Sequence, residues 1–171
     1  MANAPLTVND RQFAWPTQPC VVICADGFDM AYLEAAEALD RAPFFARARA
    51  EGRLRGAKGA MPSFTNPNNC SIVTGQPPSV HGIAGNFFLE PGTANPVMMN
   101  DPSFLRAPSI LAEFSQAGAK VCVVTAKDKL RKLLGHGLDI SNAVCFSTEF
   151  AADVTEAEHG IAEAPIPFPI P

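Results

Sequence analysis

The sequence predicts an α/β fold in which a mostly parallel sheet carries helices on both faces. Two apolar runs rich in valine, residues 19–25 and 120–125, are typical of strands that are buried on both faces of such a sheet. Segments with helical spacing follow each run, so strands and helices alternate along the chain. The 171 residues are enough for one domain with a substantial core.

The first predicted strand, residues 19–25, is followed by two helices. Asp29 is a suitable N-cap for a helix over residues 30–39, in which the apolar side chains recur at helical spacing. Pro43 opens a second helix that ends at Gly52. Residues 54–61 then predict a second strand.

The middle of the chain combines one helix with a turn-rich stretch. Asn66 is the predicted N-cap of a helix that has Pro67 at its first position and ends at Gly75. Residues 81–106 contain repeated glycine and proline, which predicts an ordered excursion without long elements.

The third part of the chain returns to alternating helices and strands. Pro108 opens a helix that ends at Gly118, and the strand over residues 120–125 follows it. A short basic helix over residues 128–134 and a brief strand over residues 144–146 complete the pattern.

Composition excludes several classes of function. A formal charge of −4 gives no electrostatic reason to expect nucleic acid or an anionic membrane surface. No apolar run approaches the roughly 20 residues of a membrane span, and the N-terminus does not resemble a secretory signal. We therefore expect a cytoplasmic protein. Its five cysteines are expected to be reduced, buried thiols: Cys20, Cys24, Cys70, Cys122 and Cys145.

A carboxylate and a hydroxyl stand at positions suited to metal-assisted phosphoryl chemistry. Asp26 follows the first predicted strand, and ligands of open α/β sheets bind beyond the carboxyl ends of strands. Its oxygen atoms suit zinc, manganese or magnesium, although a turn carboxylate before Gly27 is the alternative. Thr65 precedes a helix start, where free N–H groups favour an alkoxide; an extra capping hydroxyl is the alternative.

Further polar residues could bind an anion. Lys127 and Lys129 follow the strand over residues 120–125 and could clamp an anionic substrate or form a solvated helix face. Asn86 could donate its amide to an anion or serve as a turn residue. For His81, which has no second histidine nearby, a structural role is expected.

Together these segments resemble the phosphonoacetate hydrolases of the alkaline phosphatase superfamily. The Asp26 and Thr65 arrangement is shared across the superfamily, whereas the runs TNPNN and TAKDKLR are more specific. The resemblance extends from about Val21 to Phe150. The matching segments are Ala25-Asp26-Gly27, Pro62 to Gly75, Val80 to Phe88, Met98 to Pro108 and Val124 to His136.

The resemblance implies an alkaline-phosphatase-like fold and a role for each candidate residue. Asp26 would bind one of two zinc ions, and Thr65 would be the nucleophile and also contact zinc. Asn86, Lys127 and Lys129 would bind the substrate. The implied reaction cleaves the carbon–phosphorus bond of phosphonoacetate, giving acetate and phosphate through a phosphothreonine.

The chain departs from this family in length and in its ligands. We expect a polar leader over residues 1–17, the N-terminal part of a catalytic domain over residues 18–160, and an atypical proline-rich tail over residues 161–171. The fold would then be incomplete at its C-terminal side. The family takes its remaining Asp and His ligands from a later part, so we expect a truncated or fragmentary enzyme that is weakly active or inactive alone.

Two alternative functions stay open at this stage. A relative that hydrolyses phosphodiesters or nucleotide pyrophosphates would share the Asp26 and Thr65 framework. A non-catalytic remnant would instead associate with another chain to cover its apolar strands. The expected partner is a small-molecule phosphonate, and a homo-oligomer is possible.

Overall fold

The computed structural model describes residues 4–163, which form two compact units. The first unit combines the segment up to Pro19 with the segment from Ala60 onward, and the second is Cys20–Gly59. Most of the predicted proline-rich tail, residues 164–171, lies outside the described residues. Among the described helices, none has the length and apolar character needed to cross a membrane.

The first unit begins with a hairpin where the sequence predicted only a polar leader. Strands β1 (Leu6–Val8) and β2 (Arg11–Phe13) pair antiparallel. Asn9 and Asp10 connect them with φ values of 50° and 62°, which Asn and Asp tolerate better than other non-glycine residues. The Asn9 amide donates to the Thr74 carbonyl at 2.8 Å, which fixes the hairpin to the rest of the unit.

The second unit consists of two helices and the segments around them. Helix α1 spans Met30–Ala38 and helix α2 spans Pro43–Glu51, as the sequence predicted to within a residue. Asp29 is confirmed as the N-cap of α1, because its carboxylate accepts the Ala31 N–H at 2.8 Å. Leu33 is the buried residue of this helix.

The two strands predicted in the second unit are wrong. Residues 19–25 and 54–61 contain no strand, and Val21, Val22 and Ile23 are 80%, 76% and 84% exposed. A parallel strand exists only when a neighbour completes its hydrogen bonds. Within residues 4–163 no strand pairs with either segment. The apolar pattern therefore predicts buried side chains, whereas these side chains are exposed in the structure.

Helix α3 spans Thr65–Thr74 and starts two residues earlier than predicted. Its N-cap is Phe64 rather than Asn66, and the cap makes no side-chain hydrogen bond. Gly75 ends the helix at φ 64°, a left-handed conformation that favours glycine. A short helix α4 (Pro78–His81) and an antiparallel hairpin of β3 (Phe87–Leu89) and β4 (Pro96–Met98) follow.

The remaining elements confirm the predicted α/β alternation. The Ser109 hydroxyl caps the next helix by accepting the Ala112 N–H at 3.0 Å. The elements in order are α5 (Ile110–Gln116), β5 (Val121–Thr125), α6 (Asp128–Leu134), β6 (Ala143–Ser147), a 3₁₀ segment (Thr148–Asp153) and α7 (Glu156–His159).

Strands β5 and β6 form a parallel pair in register from Val121 opposite Ala143 to Thr125 opposite Ser147. The pair contributes Val123 and Cys145 to a buried cluster with Leu134 of α6, and Val73, Leu111, Val121, Leu130 and Leu138 pack against this cluster. The first-unit core therefore lies between the sheet and helices α3, α5 and α6.

The expectation of five buried thiols is correct for only two of them. Cys70 and Cys145 are buried, whereas Cys20, Cys24 and Cys122 are exposed. Cys122 alternates with Val123 on β5 and therefore points to the opposite face of the strand. The other two exposed cysteines belong to the segment that forms no strand.

Candidate functional site

Thr65 is the first residue of α3 and is exposed. Its carbonyl accepts a hydrogen bond from the Asn69 amide at 3.0 Å, within the first turn of the helix. The first N–H groups of a helix have no partner in the helix itself, and they form the positive end of its dipole. Thr65 therefore lies at a helix start, where backbone N–H groups can stabilise a negatively charged oxygen atom.

The Asn68 side chain holds the segment that leads into Thr65. Its Oδ1 accepts the Ala60 N–H at 2.7 Å, and its amide donates to the Phe64 carbonyl at 2.9 Å and to the Ala60 carbonyl at 3.3 Å. The sequence interpretation assigned no role to Asn68. The sequence feature that could have indicated this role is the three asparagines in TNPNN. Asparagine is a poor helix former, and its side chain favours hydrogen bonds to nearby backbone groups.

One apolar cluster supports the elements that carry Thr65, Asn86 and the two lysines. It contains Cys70 of α3, Ile83, Leu105 and Leu133 of α6, each at most 9% exposed. Ile83 lies three residues before Asn86 in the chain, and Leu133 belongs to the helix that begins after Lys127. The segments that carry the four candidate substrate-binding residues therefore pack against one shared cluster. These residues are Thr65, Asn86, Lys127 and Lys129.

Asn86 lies just before β3 and is exposed. Its backbone carbonyl accepts the Met99 N–H at 2.8 Å, which extends the β3–β4 hairpin by one bond. The hairpin fixes the backbone at this position. The Arg106 N–H donates to the His81 carbonyl at 3.0 Å. This bond connects the end of α4, which precedes Asn86, to the segment that follows β4.

Lys127 and Lys129 flank the start of α6 and are both exposed. Lys127 occupies the N-cap position, and its Nζ lies 3.9 Å from a carboxylate oxygen of Glu149. The Thr125 hydroxyl donates to the Lys127 carbonyl at 2.9 Å. This local hydrogen bond fixes the backbone between β5 and α6. Two ammonium groups at a strand end suit a small, multiply charged anion.

A buried arginine anchors the other side of α6. Arg131 is 7% exposed and pairs with Asp128 and with Glu158, the latter at 2.8 Å. Burial raises the pKa of Asp128, but hydrogen bonds from Arg131 and Lys132 outweigh this effect and hold the pKa below its usual range. Asp128 is therefore ionised at neutral pH and serves as a structural anchor between the two exposed lysines.

Asp26 belongs to the second unit. It is exposed and lies in a turn closed by a hydrogen bond from the Phe28 N–H to the Ala25 carbonyl at 3.3 Å. Gly27 adopts φ 69° in this turn, and open space surrounds the position where a side chain would begin. The turn leaves the Asp26 carboxylate at the surface.

The described residues do not by themselves provide a zinc centre. Zinc takes about four ligands per ion. Residues 4–163 contain no group of three or more His, Cys, Asp or Glu side chains that could hold a metal. His81 and His159 are buried and hydrogen-bonded, while His136 is exposed. Asp26 and Thr65, the two donors that the resemblance implies, are fewer than the ligands that a single zinc ion takes.

The Ser71–His81 pair has the spacing of a catalytic dyad but the wrong proton arrangement. The Ser71 hydroxyl lies 2.9 Å from His81 Nε2, and His81 Nδ1 accepts the Ile83 N–H at 3.2 Å. Because Nδ1 is an acceptor, the proton of the neutral ring is on Nε2. Burial is the main cause that lowers the His81 pKa and keeps the ring neutral. The contacts with Ser71 and Ile83 therefore fix the ring, and they agree with the structural role that the sequence predicted for His81.

The sequence profile of the type I phosphodiesterase / nucleotide pyrophosphatase family matches residues 20–162, most of the chain. The chain belongs to this family. The match includes Asp26, Thr65, Asn86 and both lysines, so the site residues discussed above all lie within the family domain.

Two crystal structures are similar to this member of the family. They are phosphonoacetate hydrolase from Sinorhizobium meliloti 1021 in complex with phosphonoacetate and in complex with phosphonoformate. Sequence identities are 53% and 54%, and the TM-score is 0.91 for each. The match covers 96% of this chain but 40% of the matched chain. The fold is therefore the alkaline-phosphatase-like α/β fold that the sequence predicted.

Proposed function

We propose that this chain carries the nucleophile and the anion-binding residues of a phosphonoacetate hydrolase. The observation that carries this proposal is the shared core of Cys70, Ile83, Leu105 and Leu133 beneath the elements that bear Thr65, Asn86, Lys127 and Lys129. Identity of 53% to an enzyme crystallised with phosphonoacetate supports the same substrate class. A role in phosphonate breakdown in the cytoplasm remains the expectation from sequence.

In the proposed reaction, the Thr65 hydroxyl gives its proton to water and its oxygen forms a bond to phosphorus. The carbon–phosphorus bond breaks at the same time, and the carbon takes the bonding electron pair and is protonated to give acetate. Water then attacks the phosphothreonine, which releases phosphate and restores the hydroxyl. The N-terminus of α3 and the Asn86 amide stabilise the phosphoryl oxygens, while Lys127 and Lys129 bind the remaining negative charge.

Full activity requires metal ligands beyond Asp26 and Thr65, because these two residues cannot complete two zinc sites. The chain spans 40% of the length of the crystal structures it matches. We therefore propose that residues 1–171 alone are weakly active or inactive toward phosphonoacetate, even when zinc is supplied.

Phosphate release tests the activity of the chain directly. Purified chain with zinc and phosphonoacetate is expected to release little or no phosphate above the Thr65→Ala variant. Thr65→Ser, which keeps a hydroxyl, is the matched control. Clear turnover that Thr65→Ala abolishes and Thr65→Ser retains would refute the proposal that the chain is inactive alone, while supporting Thr65 as the nucleophile.

A second candidate function is hydrolysis of phosphodiesters or nucleotide pyrophosphates, which the family profile favours. The two lysines argue instead for a small, doubly anionic ligand. A competition experiment separates the two candidates: phosphonoacetate should displace a nucleotide monoester, whereas tighter binding of the nucleotide would favour the second function.

The third candidate, a non-catalytic chain that associates with another polypeptide, is supported by the exposure of Val21, Val22 and Ile23. Light scattering after size-exclusion chromatography tests self-association. A concentration-independent monomer with a cooperative melt would argue against this candidate, whereas a homo-oligomer would support it.

A further inference from the structure

Lys127 occupies the N-cap position of α6, which is an unusual place for a lysine. An N-cap side chain normally accepts a hydrogen bond from the first turn of the helix, and Ser, Thr, Asp and Asn do this well. A lysine ammonium has three donors and no acceptor. Lys127 accordingly makes no capping bond through its side chain. The side chain that accepts an N–H of the first turn of α6 belongs to another residue.

The parallel sheet brings Glu149 to this position. Thr125 of β5 is opposite Ser147 of β6, and Lys127 and Glu149 each follow two residues later. One oxygen of the Glu149 carboxylate, Oε2, accepts the Asp128 N–H at 2.9 Å. The other oxygen, Oε1, lies 3.9 Å from Lys127 Nζ. A single side chain thus contacts both the helix start and the lysine.

A neighbouring residue of the same segment supports the loop between β5 and α6. The Thr148 hydroxyl donates to the Ala126 carbonyl at 3.4 Å, one residue before Lys127. Together with the Glu149 bond to Asp128, this contact fixes the backbone on both sides of Lys127 from the segment that follows β6. The position of Lys127 depends on residues more than 20 positions later in the sequence.

The capping bond matters more than the ion pair. The Lys127 side chain is 74% exposed and that of Glu149 is 37% exposed. Exposed ion pairs contribute little because solvent screens them. A carboxylate that accepts a backbone N–H at a helix start is a charge-assisted hydrogen bond and a typical capping interaction. The backbone contact is therefore the main effect of Glu149 on the loop.

We propose that Glu149 is a positioning residue that caps α6 and so fixes the backbone at Lys127, the lysine proposed to bind the substrate. This inference rests on the proposed function for its substrate, because it takes Lys127 and Lys129 as the groups that bind the phosphonate. Glu149 itself would not contact the substrate. It would act by holding the backbone from which both lysines project.

Two variants separate the capping bond from the charge. Glu149→Gln keeps an oxygen that can accept the Asp128 N–H but removes the negative charge. Glu149→Ala removes both. Glu156→Ala, which removes an exposed acid elsewhere in the first unit, is the matched control. Amide hydrogen exchange at Asp128, measured by NMR, reports the capping bond, and a phosphonoacetate titration reports its effect on binding.

Glu149→Ala is expected to accelerate exchange of the Asp128 amide about tenfold, the size expected for loss of a helix cap. Glu149→Gln and Glu156→Ala should stay within about threefold of the wild type. The phosphonoacetate dissociation constant should rise in Glu149→Ala and recover in Glu149→Gln. Unchanged Asp128 exchange in Glu149→Ala, or equal loss of binding in both Glu149 variants, would overturn the proposal.

The same experiment distinguishes the two levels of the proposal. If the wild-type chain does not bind phosphonoacetate, the proposed function fails at this site. The exchange data still decide whether Glu149 caps the helix. If the wild type binds and the Glu149 variants bind equally well, the proposed function stands and the positioning role is refuted.

Discussion

Leu133→Ala should lower the free energy of unfolding of the unit that carries the candidate site, because Leu133 lies in the cluster that joins α3 to α6. Leu133 is 0% exposed and packs with Cys70, Ile83 and Leu105. The substitution removes three carbon atoms, worth about 2.4 kcal/mol at roughly 0.8 kcal/mol per buried carbon. The residual cavity raises the expected loss of unfolding free energy to about 3–4 kcal/mol.

Urea unfolding followed by Trp15 fluorescence measures this loss. Trp15 is the single tryptophan of the chain, and its ring lies 5.3 Å from that of Phe114 in the same unit. With a denaturant slope of about 2 kcal/mol per molar, a loss of 3 kcal/mol lowers the urea midpoint by about 1.5 M. Amide exchange should accelerate in both α3 and α6.

Leu89→Ala is the matched control, because Leu89 is 66% exposed in the same unit. Its effect should stay within about 0.5 kcal/mol. A midpoint for Leu133→Ala that matches the control would refute the shared core. Faster exchange confined to α6 would show that the cluster does not couple α6 to the helix that carries Thr65.

Three further predictions concern individual side chains. Asn68→Ala, which leaves the Ala60 N–H without its acceptor, should cost about 1–3 kcal/mol in urea unfolding and accelerate exchange of the Ala60 amide; unchanged exchange would contradict the Asn68 contacts. Iodoacetamide should modify the three exposed cysteines of the native chain but spare Cys70 and Cys145. Burial raises the pKa values of these two thiols to about 12 and about 11, which keeps them protonated and unreactive. Mass spectrometry identifies the labelled residues, and rapid labelling of Cys70 or Cys145 in the native chain would contradict their burial. Because the Asp128 pKa is depressed in the folded state, its contribution to stability should be complete above the unfolded value of about 3.9 and be lost as pH falls through the folded pKa. Urea midpoints from pH 5 downward should therefore fall less steeply in Asp128→Asn than in the wild type, and parallel curves would contradict this linkage.

Local patterns in the sequence predicted much of the first unit. Helix α6 has the predicted bounds because an acidic first turn, a basic last turn and a following glycine are all local signals. The β5–β6 pair could also be predicted from the sequence, since apolar runs separated by a helix predict parallel strands. Thr65 could be singled out because it lies at a helix start.

Other features depend on contacts that no local pattern contains. The segment over residues 19–25 has the composition of a buried strand, but a strand also requires paired neighbours, and composition cannot supply them. The β1–β2 hairpin was missed because its strands have only three residues each. Glu149 was missed because its contact with the Asp128 N–H spans 21 positions and becomes visible only when the parallel register is known.

The central claim is that Thr65, Asn86, Lys127 and Lys129 bind one ligand together. The most direct test is a titration of the isotope-labelled chain with phosphonoacetate, followed through the backbone amide resonances of these four residues. We predict that all four shift and saturate with the same dissociation constant, and that a Lys127→Ala/Lys129→Ala double variant shows no saturable shift at Thr65 or Asn86. Shifts limited to the lysines, or shifts at Thr65 that persist in the double variant, would contradict a common site.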